Sequence, residues 1–301
     1  MPVSSALRNI TKQPSLVYYY GQKALRSPAL RQALGGFVAR LTKRPGTAGM
    51  ETPGAEQVAR ELNENGLCFL PQLHISDDGL ADIRACLNDK PVVDWYDGIT
   101  THHIDSAPAA CSKLSYRTAD LVGCPALLQL ANSPLILDAV ARVLGAQPTI
   151  AWFQSWWTLG EHHIPGKAHF DDIYHRDVDD LRFVKLFAYL TDTDIRNGAH
   201  SFVRGSHRSS VFTRRGAISD EEVHANFPPE DILAVTGTAG TVFLENTWGI
   251  HRPLLATEGR RLIFSALYCL KPWVPRGERE TPGGQMPAGL DPYVNRMLFK
   301  S

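Results

Sequence analysis

The sequence predicts a mainly β protein with flanking helices, its strands folded back on one another as an antiparallel sandwich or jelly roll. Two observations carry this. After Gln147-Pro148 the chain breaks into short β-branched or aromatic runs at 149–159, 183–190, 201–203, 232–235, 241–244 and 260–270. Clusters of Gly, Pro, Asn and Asp separate these runs, as turns separate antiparallel strands. Ahead of that point the apolar spacing is mostly helical.

Taken in order, residues 15–41 carry helical spacing, broken near Ser27-Pro28 and at Gly35-Gly36. The stretch 43–53, with Pro45, Gly46 and Gly49, reads as a linker. Residues 56–65 form a helix ended by Gly66, 67–70 a short apolar strand, and Ser76-Asp77-Asp78 caps a helix through Leu87. Residues 94–118 show little periodicity and read as a long loop, the kind that often serves as a lid or binding loop. Ser133-Pro134 opens a helix that stops at Gly145, with Pro early and Gly just past the end.

At 301 residues, 44% hydrophobic and 21% charged, the chain can bury one substantial core. The expected division is a basic helical extension and linker at 1–53, a single domain at 54–275 and a tail at 276–301. Within the domain, 54–147 is a helical entry and 148–275 the β core. The net charge of +0 gives no case for a nucleic-acid binder, whose affinity rests on neutralising phosphates. The charge is nonetheless uneven, because Arg8, Lys12, Lys23, Arg26, Arg31, Arg40, Lys43 and Arg44 precede the first acidic residue, Glu51. Such a segment suits an acidic partner or an anionic membrane surface, and an organelle transit peptide has the same composition. A solvated basic helix packed on the domain explains it equally well. Cys68, Cys86, Cys111, Cys124 and Cys269 are odd in number and form no C-x-x-C pair, which points to reduced thiols and a cytoplasmic setting. No apolar run approaches a membrane span.

The chemistry begins at His169-Phe170-Asp171. On an extended strand, residues two apart project from one face, so an imidazole and a carboxylate can reach a single ion. His251, at the end of the run 241–250, is placed to supply a third ligand. Two imidazoles and one carboxylate make the facial triad of non-haem Fe(II), which leaves three adjacent positions for a 2-oxo acid and O2. The far carboxylate of that acid needs a cation. Arg261, ten residues past His251 at the head of the last strand, can form two parallel hydrogen bonds to it, while its neighbour Arg260 points to the other face. Gln154, polar among Trp152, Phe153, Trp156 and Trp157, is either a co-substrate contact or a satisfied core amide. His103-Ile104-Asp105 matches the same pattern but lies in the irregular segment and is set aside as accidental. His207 is read as bonding a local backbone, His162, His163 and His175 as solvated loop residues, and Trp248 as packing.

At this point the sequence resembles the phytanoyl-CoA dioxygenase family of 2-oxoglutarate-dependent oxygenases. The likeness is carried by His169-Phe170-Asp171, by VKLFAYLTDTD, by NGAHSFVRGSHR, by GTAGTVFLENTWGIHRP and by Gly259-Arg260-Arg261, and it spans residues 66–273. It implies a double-stranded β-helix, a cupin-like jelly roll. It also implies Fe(II) at His169, Asp171 and His251, 2-oxoglutarate on Arg261, and O2 as second co-substrate. The spacing from His251 to the arginine is about one residue shorter than usual in the family, which keeps Arg260 as an alternative anchor. His200 stands where the family commonly has an apolar residue, and so is a candidate substrate contact. Related halogenases replace the carboxylate ligand with a small residue, so its retention here favours hydroxylation, desaturation or ring closure. The expected substrate is a small molecule. Arg176, Arg182 and Arg204 near the presumed mouth favour an anionic or carrier-borne one by electrostatic steering. Two other readings remain, a cupin-like isomerase or dioxygenase without 2-oxoglutarate, and a non-catalytic binding module on the same fold.

Overall fold

Strand β6 (Phe183–Tyr189) has almost every residue buried, and its register with its neighbours explains the continuous apolar run. In the computed structural model, which describes residues 18, 21, 22, 24–42, 51–162, 173–213, 216–271 and 284–299, β6 lies inside a large antiparallel sheet. One face of β6, Val184, Leu186 and Ala188, packs on helices; the other, Lys185, Phe187 and Tyr189, looks into the space between two sheets.

The large sheet runs, in spatial order, β1 (Leu67–Phe69), β9 (Val242–Glu245), β6, β11 (Arg260–Cys269), β5 (Thr149–Leu159), β4 (Lys113–Ser115), β2 (Val92–Asp94) and β3 (Thr101–His102). A smaller sheet, β10 (His251–Pro253), β7 (His200–Val203) and β8 (Ile232–Val235), supplies the other wall. This is the jelly-roll core with flanking helices that the sequence predicts.

Three short strands, β2, β3 and β4, fall in 94–118 or just before it, so the expected long loop is tied at three points to the edge of the sheet. Their shortness, two or three residues each, leaves no period to read. The helices on the outer face are α1 (Pro28–Thr42), α2 (Ala55–Asn65), α3 (Asp77–Leu87), α4 (Thr118–Val122), α5 (Pro125–Ala131) and α6 (Pro134–Leu144), with α7 (Asp220–Asn226) later in the chain. Their punctuation follows the expected chemistry. Ser76 Oγ accepts from Gly79 N at α3, and Gly66 and Gly145 end α2 and α6 in the left-handed region.

Described residues from both flanks of the domain pack onto it. Arg31 of α1 is buried, donates to Gln22 O at 2.8 Å and lies 4.0 Å over the Trp248 ring. In the tail, Val294, Leu298 and Phe299 belong to the main core, Ile150 N donates to Val294 O at 2.9 Å, and Asn132 and Asn295 exchange amide hydrogen bonds of 2.8 and 3.1 Å. The tail residues 284–299 thus help close the domain rather than trail from it.

Candidate metal centre

The inner face of the large sheet is a set of cross-strand rows fixed by register. Glu245, Lys185, Leu267 and Trp152 form one row, Phe243, Phe187, Ser265 and Gln154 the next, then Tyr189, Ile263 and Trp156, and finally Arg261 and Thr158. Opposite them, His200 and Phe202 of β7 and His251 of β10 face the same interior.

His251 is joined there by His175, expected as a loop residue, and by Asp177, which the sequence does not single out. His175 and His251 are paired across an isolated antiparallel bridge, His175 N to His251 O at 3.0 Å and His251 N to His175 O at 3.1 Å. Asp177, two residues on, donates its N–H to Thr247 O at 2.9 Å, so the same-face rule for positions i and i+2 applies to His175-Arg176-Asp177. The ligand-capable atoms of His175, Asp177 and His251 all lie within 4.8 Å of one another. His251 Nε2 is 3.4 Å from Asp177 Oδ2, and His175 Nε2 is 3.8 Å from Asp177 Oδ1.

The rings are aimed from behind. His175 Nδ1 meets Ile173 O at 2.7 Å and His251 Nδ1 meets Gly249 O at 3.0 Å. A carbonyl accepts a proton, so each Nδ1 carries one and each Nε2, turned toward Asp177, is the nitrogen left for a metal. Burial would raise the Asp177 carboxyl, but Lys185, His251 and His175 outweigh it and hold the group well below the usual carboxylate range. Burial would lower His251, whereas Asp177 and then Glu245 push it up. Lys185 Nζ sits 2.6 Å from Asp177 Oδ2 and 3.0 Å from Asp179 Oδ2, and so shares the negative charge a cation would meet. Two imidazoles and an ionised carboxylate, convergent and backed by carbonyls, fit a divalent iron once the metal displaces any ring proton on Nε2.

Of the residues expected at the site, His169 and Asp171 lie outside the described residues, and His251 is at the cluster. His175, expected as a solvated loop residue, is instead buried and a member of the cluster. Arg261 is 1% exposed and donates to Gly198 O and, at 2.8 Å, to Thr158 Oγ1. Arg260 turns outward to Glu161 at 2.6 Å and Asp105 at 3.5 Å. Gln154 is on the inner face beside Ser265. The Ser265 hydroxyl is buried there without a hydrogen-bond partner among the described residues, as is suitable for receiving a polar ligand.

His200 is buried, its ring stacked on that of His251 with centroids 5.3 Å apart, and Nε2 lies 2.9 Å from Glu245 Oε2. Burial lowers its pKa against the pull of Glu245.

The three arginines expected to steer an anion are otherwise engaged. Arg176 points away from Asp177 and donates to Trp248 O, Val211 O and Phe212 O at 2.6, 2.9 and 3.1 Å. Arg182 donates to Leu144 O and Gln32 O, and Arg204 pairs with Asp231. Arg176 is therefore a clamp on the 209–212 loop. His207, as expected, bonds a backbone carbonyl, Asn63 O, at 3.1 Å. His103 and Asp105 are mutually paired at 3.9 Å and largely exposed, so that H-x-D match is a surface pair.

The model of the phytanoyl-CoA dioxygenase family (PhyH) matches residues 75–252, more than half of the chain, ending just past His251. The chain belongs to the phytanoyl-CoA dioxygenase family. This is the family of Fe(II)/2-oxoglutarate-dependent oxygenases that its motifs resemble. Among solved structures, the carbocyclase SnoK from nogalamycin biosynthesis, described as non-haem and α-ketoglutarate dependent, shares the fold. It aligns at 18% identity with a TM-score of 0.51, covering 74% of this chain and 87% of that one. The epimerase SnoN of the same biosynthesis aligns at 18% identity and TM-score 0.48, covering 72% and 82%. HygX from Streptomyces hygroscopicus, solved with nickel and 2-oxoglutarate, aligns at 19% and 0.48, covering 70% and 85%. No curated protein matches the sequence.

Proposed function

We propose that this family member hydroxylates an unactivated C–H bond of a small molecule, using Fe(II), 2-oxoglutarate and O2 and releasing succinate and CO2. Among the described residues the iron is assigned to His175, Asp177 and His251, with His169 and Asp171 as the alternative partners of His251. The observation that carries this is the convergence of His175 Nε2, the Asp177 carboxylate and His251 Nε2 within 4.8 Å, with both Nδ1 atoms committed to carbonyls.

When bound, ferrous iron and the oxo acid supply O2 activation and an oxidant strong enough for a C–H bond. The chain's own residues do the rest. Asp177 keeps its charge because Lys185 and the two imidazoles favour the ionised form. Ile173 and Gly249 hold the rings in one tautomer. Arg261 offers its guanidinium to the distal carboxylate of the oxo acid, with Ser265 and Gln154 on the same wall. Phe187, Phe243 and Ile263 line the interior and exclude water. An intact carboxylate at 177 supports hydroxylation over halogenation.

The test is spectroscopic and separates two H-x-D pairs. Anaerobic Fe(II) and 2-oxoglutarate give the weak visible charge-transfer band of the chelate in the wild-type chain. Asp177→Ala abolishes it, whereas Asp171→Ala retains it. The reverse pattern moves the ligand pair to His169 and Asp171, and no band in the wild type ends the 2-oxoglutarate reading. Succinate release across a panel of small molecules then identifies the substrate.

A further inference from the structure

A second cluster of metal-ligating atoms lies at the far edge of the large sheet. Asp94 closes β2, His102 closes β3 and Cys111 stands just ahead of β4, so three separate segments deliver a carboxylate, an imidazole and a thiol to one point. Cys111 Sγ is 3.0 Å from Asp94 Oδ2 and 3.7 Å from His102 Nε2, and all three ligand atoms lie within 4.8 Å of one another. Cys111 is buried, while Asp94 and His102 are half-buried, so the cluster is set into the surface rather than waving on it.

The backbone holds this arrangement independently of any ion. Val92 pairs with His102 and Asp94 with Leu114, which fixes two of the three segments by register. Asp94 Oδ1 accepts the Tyr96 N–H at 2.7 Å, which leaves Oδ2 directed at the thiol. Cys111 O meets His162 Nδ1 at 3.1 Å, fixing the third.

We propose that Asp94, His102 and Cys111 bind one thiophilic divalent cation, Zn2+ by preference, with a fourth position open to water. Zinc bonds of about 2.3 Å to sulfur and about 2.0–2.2 Å to nitrogen or oxygen, at tetrahedral angles, place neighbouring ligand atoms roughly 3.5 Å apart. The observed 3.0 and 3.7 Å bracket that spacing. A sulfur ligand distinguishes the site from the His175, Asp177 and His251 centre, which offers nitrogen and oxygen alone and suits iron. Binding releases the thiol proton, since the thiolate is the ligand.

The consequence falls on the wall that carries Arg261. Trp95, next to Asp94, lies 5.8 Å from the inward-facing Trp156, and Lys113 Nζ sits 3.8 Å over the Trp95 ring. Lys113 is opposite Thr158, the residue whose hydroxyl takes the Arg261 hydrogen bond. A cation here pins the β2–β3 hairpin to β4 and so fixes the Trp95 and Lys113 side of that wall.

The experiment titrates the full chain, stripped with chelator, with Co2+. A thiolate-to-cobalt charge-transfer band in the near ultraviolet, saturating at one equivalent beyond the iron centre and displaced by Zn2+, is the expected result. Cys111→Ser loses the band, and His102→Gln and Asp94→Asn weaken cobalt binding at least about tenfold while keeping the visible Fe(II)–2-oxoglutarate band. Absence of a sulfur band at stoichiometric Co2+, or a band that survives Cys111→Ser, overturns the assignment. Should Cys111→Ser fold poorly, the His102→Gln and Asp94→Asn titrations decide, because undiminished binding in both refutes the site. The iron centre contains no cysteine, so its failure or success is read separately.

Discussion

Lys185 and Asp177 form a 2.6 Å ion pair inside the barrel, and Asp179 shares the same ammonium at 3.0 Å. The pair sits where the metal charge belongs, so Lys185 and the ion compete for one carboxylate. Replacing Lys185 by Met removes the ammonium paired with Asp177 in the metal-free chain. The expected loss is roughly 3 kcal/mol, the usual cost of removing one partner of a buried pair. Saturating Ni2+ should recover most of that loss, because the ion takes over the neutralising role and stabilises by mass action. Thermal unfolding with and without Ni2+ measures both quantities. An identical deficit in the two conditions disconnects Lys185 from the metal centre.

Arg261 and Arg260 are adjacent in sequence and opposite in fate, one buried on Thr158 and Gly198, the other outside on Glu161. A lysine at 261 keeps the charge and loses the planar fork, so Arg261→Lys should raise the KM for 2-oxoglutarate about tenfold or more, with a smaller change in kcat. Arg260→Ala, at an exposed pair, should shift it less than about twofold. Steady-state succinate formation as a function of 2-oxoglutarate concentration separates the two. A larger effect at 260 reassigns the anchor.

Much of the architecture was legible because long strands advertise themselves. The runs at 149–159, 183–190 and 260–270 are the strands β5, β6 and β11 almost residue for residue, and Gly66, Ser76 and Gly145 mark helix ends as expected. The short strands β2, β3, β4 and β10 were not legible, since two or three residues carry no period. At the site, H-x-D occurs at 103–105, 169–171 and 175–177. Nothing in the sequence singles out 175–177, whose place beside His251 comes from the bridge between His175 and His251. The pair at 169–171, singled out by the same i, i+2 spacing and by the family likeness, lies outside the described residues. The fates of Arg176, Arg182 and Arg204 could not be read from sequence, because carbonyl acceptors leave no trace in it.

His207 reports on acid stability. Burial pushes its pKa down to about 4 from an ordinary 6.5, with the hydrogen bond to Asn63 O opposing the shift. As pH falls through 6.5 the unfolded chain takes a proton that the folded chain refuses until about 4, so stability present above 6.5 is lost across that window. The loss attributable to this residue is at most about 3 kcal/mol. His207→Gln keeps an N–H for Asn63 O and cannot titrate, so denaturant midpoints of the variant should fall less steeply from pH 7 toward acid. Parallel pH profiles for the two chains exclude this source.

Helix α1 packs one face on the domain and leaves an apolar stripe exposed on the other. Arg31, Gly35 and Ala39 are buried on the domain, and a Cβ at Gly35 would come within 2.7 Å of Arg182 Cγ, so glycine permits that approach. On the outer face Leu30, Leu34, Phe37 and Leu41 are 47%, 37%, 59% and 71% exposed, spaced as one helical stripe. Arg40 lies on the same helix, Lys43 and Arg44 follow it, and no acidic residue precedes Glu51. An apolar stripe with cationic flanks has the chemistry of an interfacial helix on anionic lipid. The full chain is therefore expected to co-sediment with vesicles containing phosphatidylglycerol and not with pure phosphatidylcholine, and added salt should weaken the binding. Phe37→Asp, at an exposed position that leaves the core untouched, should reduce binding at least about tenfold. Vesicle binding that ignores this substitution removes α1 from the interface, and no binding to anionic vesicles at low ionic strength removes the membrane as its partner.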